Sequence, residues 1–185
     1  IEAGSYILAA MATKGKITIK NFLIEHLEEP IKIFKKMGLK IKKIDTNEYL
    51  FFCNAIKPIN LIQTKEYPGF PTDLQAQLIT IFLKNGNKSK IKENIFENRF
   101  IHVPELKRFG ADITLNSNTV IVNKVNELNG AEVMATDLRG SFSLIIAALL
   151  SKGETTISRI YHLDRGYEDF DLKLKQCGVN IKRKK

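Results

Sequence analysis

Residues 72–83 of the chain are TDLQAQLITIFL, and residues 136–150 repeat the same opening before a second apolar run, TDLRGSFSLIIAALL. A third apolar segment, AGSYILAAMATK, occupies residues 3–14. Each segment is apolar nearly all round a helix of 3.6 residues per turn, a pattern typical of a helix buried on every side. The sequence therefore predicts three core helices spaced along the chain.

Shorter elements follow the first core helix in a definite order. The residues Lys16–Lys20 alternate between polar and apolar, which predicts a strand, and Ile24–Met37 has the pattern of an amphipathic helix. A pair of strands is predicted at Leu39–Ile44 and Glu48–Cys53, because Asp45-Thr46-Asn47 between them is a turn sequence.

The same order returns after the other two core helices. The later predicted elements are a helix at Glu105–Phe109, a hairpin of Ala111–Leu115 and Thr119–Asn123, a strand at Thr155–Ile160, a helix ending before Gly178, and a strand at Val179–Arg183. Such a repeat indicates units of about 1–63, 64–134 and 135–185. The predicted fold class is α/β, with the three core helices packed together inside and the strands around them.

Two glycines punctuate each copy at nearly constant spacing. The pairs lie 23 to 25 residues apart and are Gly15 and Gly38, Gly86 and Gly110, and Gly153 and Gly178. Glycine adopts a left-handed backbone at little cost, so it commonly follows the last residue of a helix. We therefore predict that each of these glycines ends a helix.

Composition limits the classes of function. The chain has 185 residues and a net charge of +9, from 29 Lys and Arg against 20 Asp and Glu. The surplus fits either an evenly solvated basic surface or a site for anions, and the last lysines, Lys182–Lys185, look like a frayed end. Cys53 and Cys177 lie in apolar surroundings without a CxxC spacing, which predicts buried free thiols and a reducing, cytoplasmic compartment. No apolar run is long enough to cross a membrane.

Candidate chemistry lies where the core helices begin. Thr72 and Gln75 fit a capping box, and Asp73 and Asp137 each follow a Thr at a helix start. The two acids fit either of two roles. They could stabilise the positive end of the helix dipole, or they could act as acid and base at a cleft.

The arginines are fewer than the lysines and cluster near the same junctions. Arg99, Arg139 and Arg165 could bind a carboxylate or phosphate in a forked geometry, or each could form a local ion pair, as Asp164 beside Arg165 suggests. The histidines His26, His102 and His162 lack the spacing of metal ligands, so we predict core or surface roles for them. We expect no cofactor, because no dinucleotide or P-loop glycine motif is present.

Four long motifs at these junctions resemble the enolpyruvyl transferase family, specifically its UDP-N-acetylglucosamine branch. The motifs are YPGFPTDLQAQ at 67–77, FENRFIHVPEL at 96–106, VMATDLR at 133–139 and IYHLDRGYE at 160–168. The resemblance covers the whole chain in order, and IEAGSY at 1–6 is similar to the family's entry into its C-terminal domain. It implies an inside-out α/β barrel of three repeated units.

The resemblance also implies a reaction and its residues. The family transfers the enolpyruvyl group of phosphoenolpyruvate to the 3′-hydroxyl of UDP-N-acetylglucosamine, releases phosphate, and so commits carbon to peptidoglycan. Asp73 then matches the acid that contacts the 3′-hydroxyl, Ile95 a backbone contact to the nucleotide sugar, and Asp137 a second acid near the reacting carbon. The phosphoenolpyruvate-binding arginines would be Arg99, Arg139 and Arg165, and the catalytic residues Asp73, Asp137 and Arg165.

The resemblance leaves half of the family's site outside this sequence. The N-terminal domain, which supplies a Lys, further arginines and a mobile loop with a Cys or Asp proton donor, has no counterpart here, so we expect a fragment that is inactive alone. At Gly140 the family predicts Ala, a change expected to leave the chemistry intact. Expected partners are the two substrates and that domain, with no membrane or nucleic acid. Alternatives are an RNA module, because RNA 3′-phosphate cyclases contain similar units, and a non-catalytic paralogue.

Overall fold

A computed structural model describes residues 1–84 and 88–184 of the protein. The helices in these residues are α1 (Glu2–Ala12), α2 (Glu28–Lys36), α3 (Gln75–Lys84), α4 (Val103–Arg108), α5 (Gly140–Leu150), α6 (Tyr161–Asp164) and α7 (Phe170–Gln176). The strands are β1 (Lys16–Ile19), β2 (Lys40–Asp45), β3 (Glu48–Phe52), β4 (Leu61–Gln63), β5 (Lys88–Lys92), β6 (Asp112–Asn116), β7 (Thr119–Asn123), β8 (Glu132–Met134) and β9 (Thr156–Ser158). Short 3-10 turns at Ile24–Leu27 and Thr72–Leu74 lead into α2 and α3.

The helices α1, α3 and α5 form the centre of the molecule, as the apolar segments predict. They contact one another in all three pairings. Every residue of α3 from Gln75 to Leu83 is buried, and so is every residue of α5 from Gly140 to Ala147. Burial of apolar surface is the main force that stabilises a fold, so these helices hold the domain together. The predicted α/β class, with helices inside and strands outside, is confirmed.

Three sheets surround the helices. Their strand orders are β1-β3-β2, β4-β5-β7-β6 and β8-β9. The predicted hairpins are present, because β2 and β3 pair antiparallel around the turn at Thr46–Asn47, and β6 and β7 pair around Ser117–Asn118. Both turns contain a residue with positive φ, Asn47 at 56° and Ser117 at 51°.

In two of the three sheets a parallel strand pair flanks a core helix. The strand β4 precedes α3 and pairs in parallel with β5, which follows it. The strand β8 bears the same relation to α5 and pairs in parallel with β9. A parallel pair needs a crossover of this kind, so α3 and α5 are each fixed across one sheet. Our division into units of about 1–63, 64–134 and 135–185 stays a proposal.

The second glycine of each predicted pair ends a helix, and the first does not. Gly38, Gly110 and Gly178 each lie one residue beyond the residue that follows α2, α4 and α7, with φ of 108°, 90° and 89°. The prediction for Gly15 is wrong, because Lys14 has the positive φ there, at 55°. It is also wrong for Gly153, because α5 ends at Leu150 and the next residue, Ser151, is already extended. The prediction for Gly86, with Asn85, falls outside the described residues.

The predicted strand at Val179–Arg183 is wrong, and so is the frayed end for residues 182–184, whereas Lys185 falls outside the described residues. Residues 179–184 are not paired with any described strand and have no regular secondary structure. Arg183 instead binds two carboxylates, donating to Asp164 at 2.6 and 3.1 Å and to Asp171 at 2.8 Å. Its guanidinium also lies 5.2 Å from the Phe170 ring.

The two cysteines differ in exposure. Cys53 is buried as predicted, whereas Cys177 is exposed, because it lies at the outer end of α7. Both thiols are free.

Within residues 1–84 and 88–184, no helix combines the length and the apolar character that a membrane crossing requires.

Candidate active site

Asp73 lies between two arginines that are far apart in the sequence, Arg99 and Arg139. Its Oδ1 accepts a hydrogen bond from Nη2 of Arg99 at 2.9 Å, and its Oδ2 accepts one from Nε of Arg139 at 3.2 Å. The three side chains are 31%, 27% and 21% exposed, so solvent and a ligand can reach them. One carboxylate thus holds two guanidinium groups side by side, an arrangement suited to binding a doubly charged anion.

The loop before α4 and a core glutamine position Arg99. Asn98 has a φ of 54°, which turns the chain so that Arg99 points back to α3. The Nε2 of Gln75 donates to the Arg99 carbonyl at 3.3 Å, and the Arg99 guanidinium lies 5.7 Å from the Phe96 ring. The predicted capping box is therefore wrong. Gln75 serves Arg99, and no side chain caps the turn at Thr72.

A buried tyrosine supports Arg139. The Arg139 guanidinium lies 5.7 Å from the centre of the Tyr167 ring, and that ring stacks on Phe142 at 4.5 Å. The Tyr167 hydroxyl is hydrogen-bonded to Ser5 Oγ at 2.9 Å and accepts from Gln77 Nε2 at 3.2 Å, and burial raises its pKa. Tyr167 therefore joins α1, α3 and α5 directly beneath the arginine.

Two glycines leave room for the charged groups. A Cβ on Gly166 would overlap Leu138 and lie 3.1 Å from Nη1 of Arg139. A Cβ on Gly140 would overlap the carboxylate of Asp137 and lie 3.1 Å from Cβ of His102. Gly140 therefore admits the Asp137 side chain at its present position, which the Ala expected from the family would overlap.

Asp137 stabilises the start of α5. Its Oδ1 accepts hydrogen bonds from the backbone N–H groups of Arg139 at 2.8 Å and Gly140 at 2.7 Å. This is the helix-start role that the sequence left open for the acid. It also fixes the backbone of Arg139, so the residue contributes to the site through its neighbour. Its Oδ2 accepts a hydrogen bond from Thr136 Oγ1 at 3.4 Å.

Arg165 does not join this cluster. It is exposed, and its side chain forms no ion pair or hydrogen bond within the described parts of the chain. Its neighbour Asp164 pairs with Arg183, so the suggested local ion pair of Asp164 with Arg165 is absent. Arg165 lines a cavity of about 660 Å³ between the start of α1 and the α6–α7 segment, together with Gly166, which borders Arg139.

The sequence reasoning missed Glu93, which organises the loop that carries Ile95. The Glu93 side chain is 2% exposed, and its Oε1 accepts the backbone N–H of Ile95 at 2.8 Å. One signal was available. Ser89, Ile91 and Glu93 alternate with lysines along and just beyond β5, so Glu93 continues the row that faces inward.

His102 lies in the core behind the cluster, as a core histidine rather than a ligand. Among the described residues neither ring nitrogen has a hydrogen-bond partner. Burial, and to a smaller extent Arg99, lower the pKa of His102 to about 4, although nearby Asp137 acts in the opposite direction. The imidazole is therefore neutral in the folded protein at pH 7. No group of three or more potential metal ligands occurs among residues 1–84 and 88–184.

His102 is expected to make the protein sensitive to acid. The pKa of His102 is about 4 in the folded protein and 6.5 in an unfolded chain. Below pH 6.5 the unfolded chain therefore binds a proton at His102 that the folded protein does not. Folding stability should then fall by on the order of 3 kcal/mol as the pH drops from 6.5 to 4. Urea unfolding at a series of pH values measures this loss. The loss should be smaller in His102→Leu, whereas the exposed His26→Gln should behave like the unaltered chain. Equal pH dependence in all three proteins would contradict the assignment.

The comparisons with known proteins agree on one family. The sequence model of EPSP synthase (3-phosphoshikimate 1-carboxyvinyltransferase) matches residues 1–174. A relative from Aliarcobacter butzleri (strain RM4018) is 48% identical over 100% of this chain, and one from Pelagibacter ubique (strain HTCC1062) is 51% identical over 99% of it. Both are named UDP-N-acetylglucosamine 1-carboxyvinyltransferase. This chain spans 44% of the length of each, and it matches their C-terminal half.

Solved structures share the fold. The enolpyruvyl transferase NikO from Streptomyces tendae superposes with a TM-score of 0.87 at 24% identity, covering 98% of this chain and 43% of that protein. An EPSP synthase from Acinetobacter baumannii has a TM-score of 0.72 at 16% identity, over 95% of this chain and 44% of the enzyme. These comparisons give no support to the alternative of an RNA module.

Proposed function

The chain belongs to the EPSP synthase family of enolpyruvyl transferases, and on that premise we propose that it is the C-terminal half of a transferase acting on UDP-N-acetylglucosamine. The enzyme would move the enolpyruvyl group of phosphoenolpyruvate to the 3′-hydroxyl of the sugar and release phosphate. The observation that carries the proposal is the carboxylate of Asp73 held between Arg99 and Arg139.

The choice of acceptor rests on the relatives. Proteins 46–51% identical over nearly all of this chain are named for UDP-N-acetylglucosamine, whereas the EPSP synthase structure is 16% identical and shares the fold alone. Because peptidoglycan precursors are assembled from this nucleotide sugar, the proposed place of the reaction is the first committed step of cell-wall synthesis, in the cytoplasm.

The cluster has the groups that the reaction requires. The 3′-oxygen must lose its proton as it adds to C2 of phosphoenolpyruvate, and Asp73 would accept that proton. The adduct carries a carboxylate and a phosphate, and both arginines would stabilise this charge in a partly buried site. C3 gains a proton in the addition and loses one when phosphate leaves, and Asp137 would lie near that carbon. Arg165 would bind phosphoenolpyruvate from the side of the cavity that it lines.

Resting ion pairs keep the arginines ready for a substrate anion. In the described structure Asp73 pairs with both guanidinium groups, so neither is left as an unpaired charge in a partly buried position. An arriving carboxylate or phosphate can take over these pairs, because the arginines are 27% and 21% exposed. Asp73 then regains the lone pairs with which it would accept a proton.

We propose that residues 1–185 supply one half of the active site. The other half would come from an N-terminal domain like the part of the relatives that this chain does not cover. The chain by itself is then expected to show no phosphate release above background when both substrates are supplied, because residues that act together lose most of their effect when half of them are removed. A measured turnover by the isolated chain would contradict this division of the site.

Binding of the nucleotide sugar tests the proposal directly. Titration calorimetry of this chain with UDP-N-acetylglucosamine should detect binding with a Kd on the order of a millimolar, since only part of the contacts is present. Asp73→Asn should weaken the binding further, because it removes the charge that holds both arginines. Shikimate 3-phosphate is the matched ligand control and should not bind. Preference for shikimate 3-phosphate would overturn the proposed acceptor.

A further inference from the structure

Glu93 has a buried carboxylate whose two oxygens are both engaged. Oε1 accepts hydrogen bonds from Thr64 Oγ1 at 2.8 Å, from the Ile95 N–H at 2.8 Å and from the Phe96 N–H at 3.2 Å. Oε2 accepts one from Thr72 Oγ1 at 2.8 Å. The side chain is 2% exposed, so these donors replace the water that an ionised carboxylate would otherwise bind.

No cation accompanies this carboxylate in the part of the chain that the structure describes. The ion pairs found there leave Glu93 out, and hydroxyl and amide donors alone surround it. Hydrogen bonds from such donors to a charged acceptor are directional and stronger than neutral ones. A buried charge that loses one of them keeps its full desolvation cost. The positions of the donors are therefore tightly specified relative to Glu93.

The donors come from three separate segments, two of which carry candidate site residues. Thr64 follows β4, Thr72 directly precedes Asp73, and Ile95 and Phe96 form the loop before Arg99. The backbone of Glu93 is fixed in turn, because its N–H donates to the Asn118 carbonyl at 2.8 Å and its carbonyl accepts from Asn118 Nδ2 at 2.9 Å. A single side chain thus sets the distance between the Asp73 turn and the Ile95 loop.

We propose that Glu93 is a positioning residue for the nucleotide sugar, which it serves by holding the Ile95 backbone and the Asp73 turn at a fixed separation. This inference rests on the proposed function, in which both residues contact the same ligand. Glu93 itself touches no substrate, since its oxygens are buried and fully used by protein donors.

The proposal separates positioning from simple support of the fold. If Glu93 only stabilised the domain, any change that lowers stability equally would weaken ligand binding equally. If it positions the loop, the effect belongs to Glu93 and its partner Thr72. Ile91→Val is the matched control, because Ile91 faces the core from β5, two residues before Glu93, and forms none of these hydrogen bonds with its side chain.

The experiment uses the full chain with Glu93→Gln, Thr72→Val, the double variant and Ile91→Val. Hydrogen exchange without ligand reports on the loop, and titration with UDP-N-acetylglucosamine followed by amide spectra reports on binding. In Glu93→Gln the Ile95 and Phe96 amides should exchange about tenfold faster or more, while core amides of α5 do not change. The Kd should rise about tenfold in Glu93→Gln and by a smaller factor in Thr72→Val.

Coupling between the two sites decides the case. The double variant should bind no more weakly than Glu93→Gln, because the Thr72 hydroxyl acts through that carboxylate. Additive losses, or an equal loss in Ile91→Val, would overturn the positioning role while the proposed function stands.

If the unaltered chain bound no UDP-N-acetylglucosamine, the proposed function would fail instead. Unchanged amide exchange at Ile95 in Glu93→Gln would separately refute the role of Glu93 in holding the loop. If Glu93→Gln does not fold, the Kd values of Thr72→Val and Ile91→Val for UDP-N-acetylglucosamine are compared instead. Equal values would overturn the positioning role of Glu93.

Discussion

Replacing Asp73 by Asn is expected to lower the kcat for phosphate release by about 10²–10⁴-fold. The measurement needs a complete site, which an enzyme made by joining this chain to the N-terminal half of the Aliarcobacter butzleri relative would provide. Asn has the same shape as Asp but cannot accept a proton from the sugar hydroxyl. It also lacks the charge that holds Arg99 and Arg139 at 2.9 and 3.2 Å. Both losses affect the proposed addition step, in which the sugar hydroxyl loses its proton and the arginines stabilise the negatively charged adduct.

A surface acid provides the control for this substitution. Asp112 on the edge strand β6 is exposed, and its side chain accepts a hydrogen bond from Asn123 Nδ2 at 3.1 Å. Asp112→Asn should leave kcat unchanged within about twofold, since surface substitutions away from special features have small effects. A proton acceptor contributes about 10²–10⁴-fold to the rate. If Asp73→Asn retained more than about a tenth of the kcat, the loss would be too small for that role, and Asp73 would not be the proton acceptor.

The largest effect on stability is expected from Phe142→Ala. Phe142 is fully buried on α5, stacked on Tyr167 at 4.5 Å and edge-on to Tyr6 at 5.4 Å. Truncating a core Phe removes its buried area and leaves a cavity, which together cost about 3–5 kcal/mol. Urea unfolding should show a lower midpoint at an unchanged slope. The Tyr167 ring beneath Arg139 also loses its support, so binding of the nucleotide sugar should weaken as well.

Phe96→Ala is the matched substitution for comparison. Phe96 is 56% exposed and contacts the Arg99 guanidinium at 5.7 Å, so its truncation should cost at most about 1 kcal/mol of unfolding free energy. A Phe142→Ala protein no less stable than Phe96→Ala would show that the α1–α5 contact does not hold the core.

The parts of the fold that follow from local periodicity could be predicted from the sequence. The apolar run of α5 and the hairpin of β6 and β7 carry their signals within ten or so residues, and both are present. Helix ends were harder, because the left-handed residue after α1 is Lys14 rather than Gly15. The strand predicted at Val179–Arg183 failed for a related reason, since a strand needs a partner that no local pattern supplies.

The site was predictable where motifs recur and hidden where distant residues meet. The repeated TDL opening pointed to Asp73 and Asp137, and the structure brings Arg99 and Arg139 to the first of them. The contacts of Glu93 with Thr64 and Thr72 span 29 and 21 residues. No local sequence pattern around Glu93, Thr64 or Thr72 predicts these hydrogen bonds. The contacts of Arg183 with Asp164 and Asp171 could not be predicted either, because the lysine-rich composition around Arg183 is typical of a solvent-exposed tail.

The shared centre of the fold determines how the domain comes apart. Each of the helices α1, α3 and α5 packs on the other two, and the hydroxyl of Tyr167 ties Ser5 to Gln77 across them. The buried apolar residues that the structure describes form one cluster, so we expect none of the three proposed units to fold around a core of its own. Unlike a solenoid, which can lose end units one at a time, this domain should melt in a single all-or-none transition. A gene segment encoding one repeat should yield an unfolded peptide.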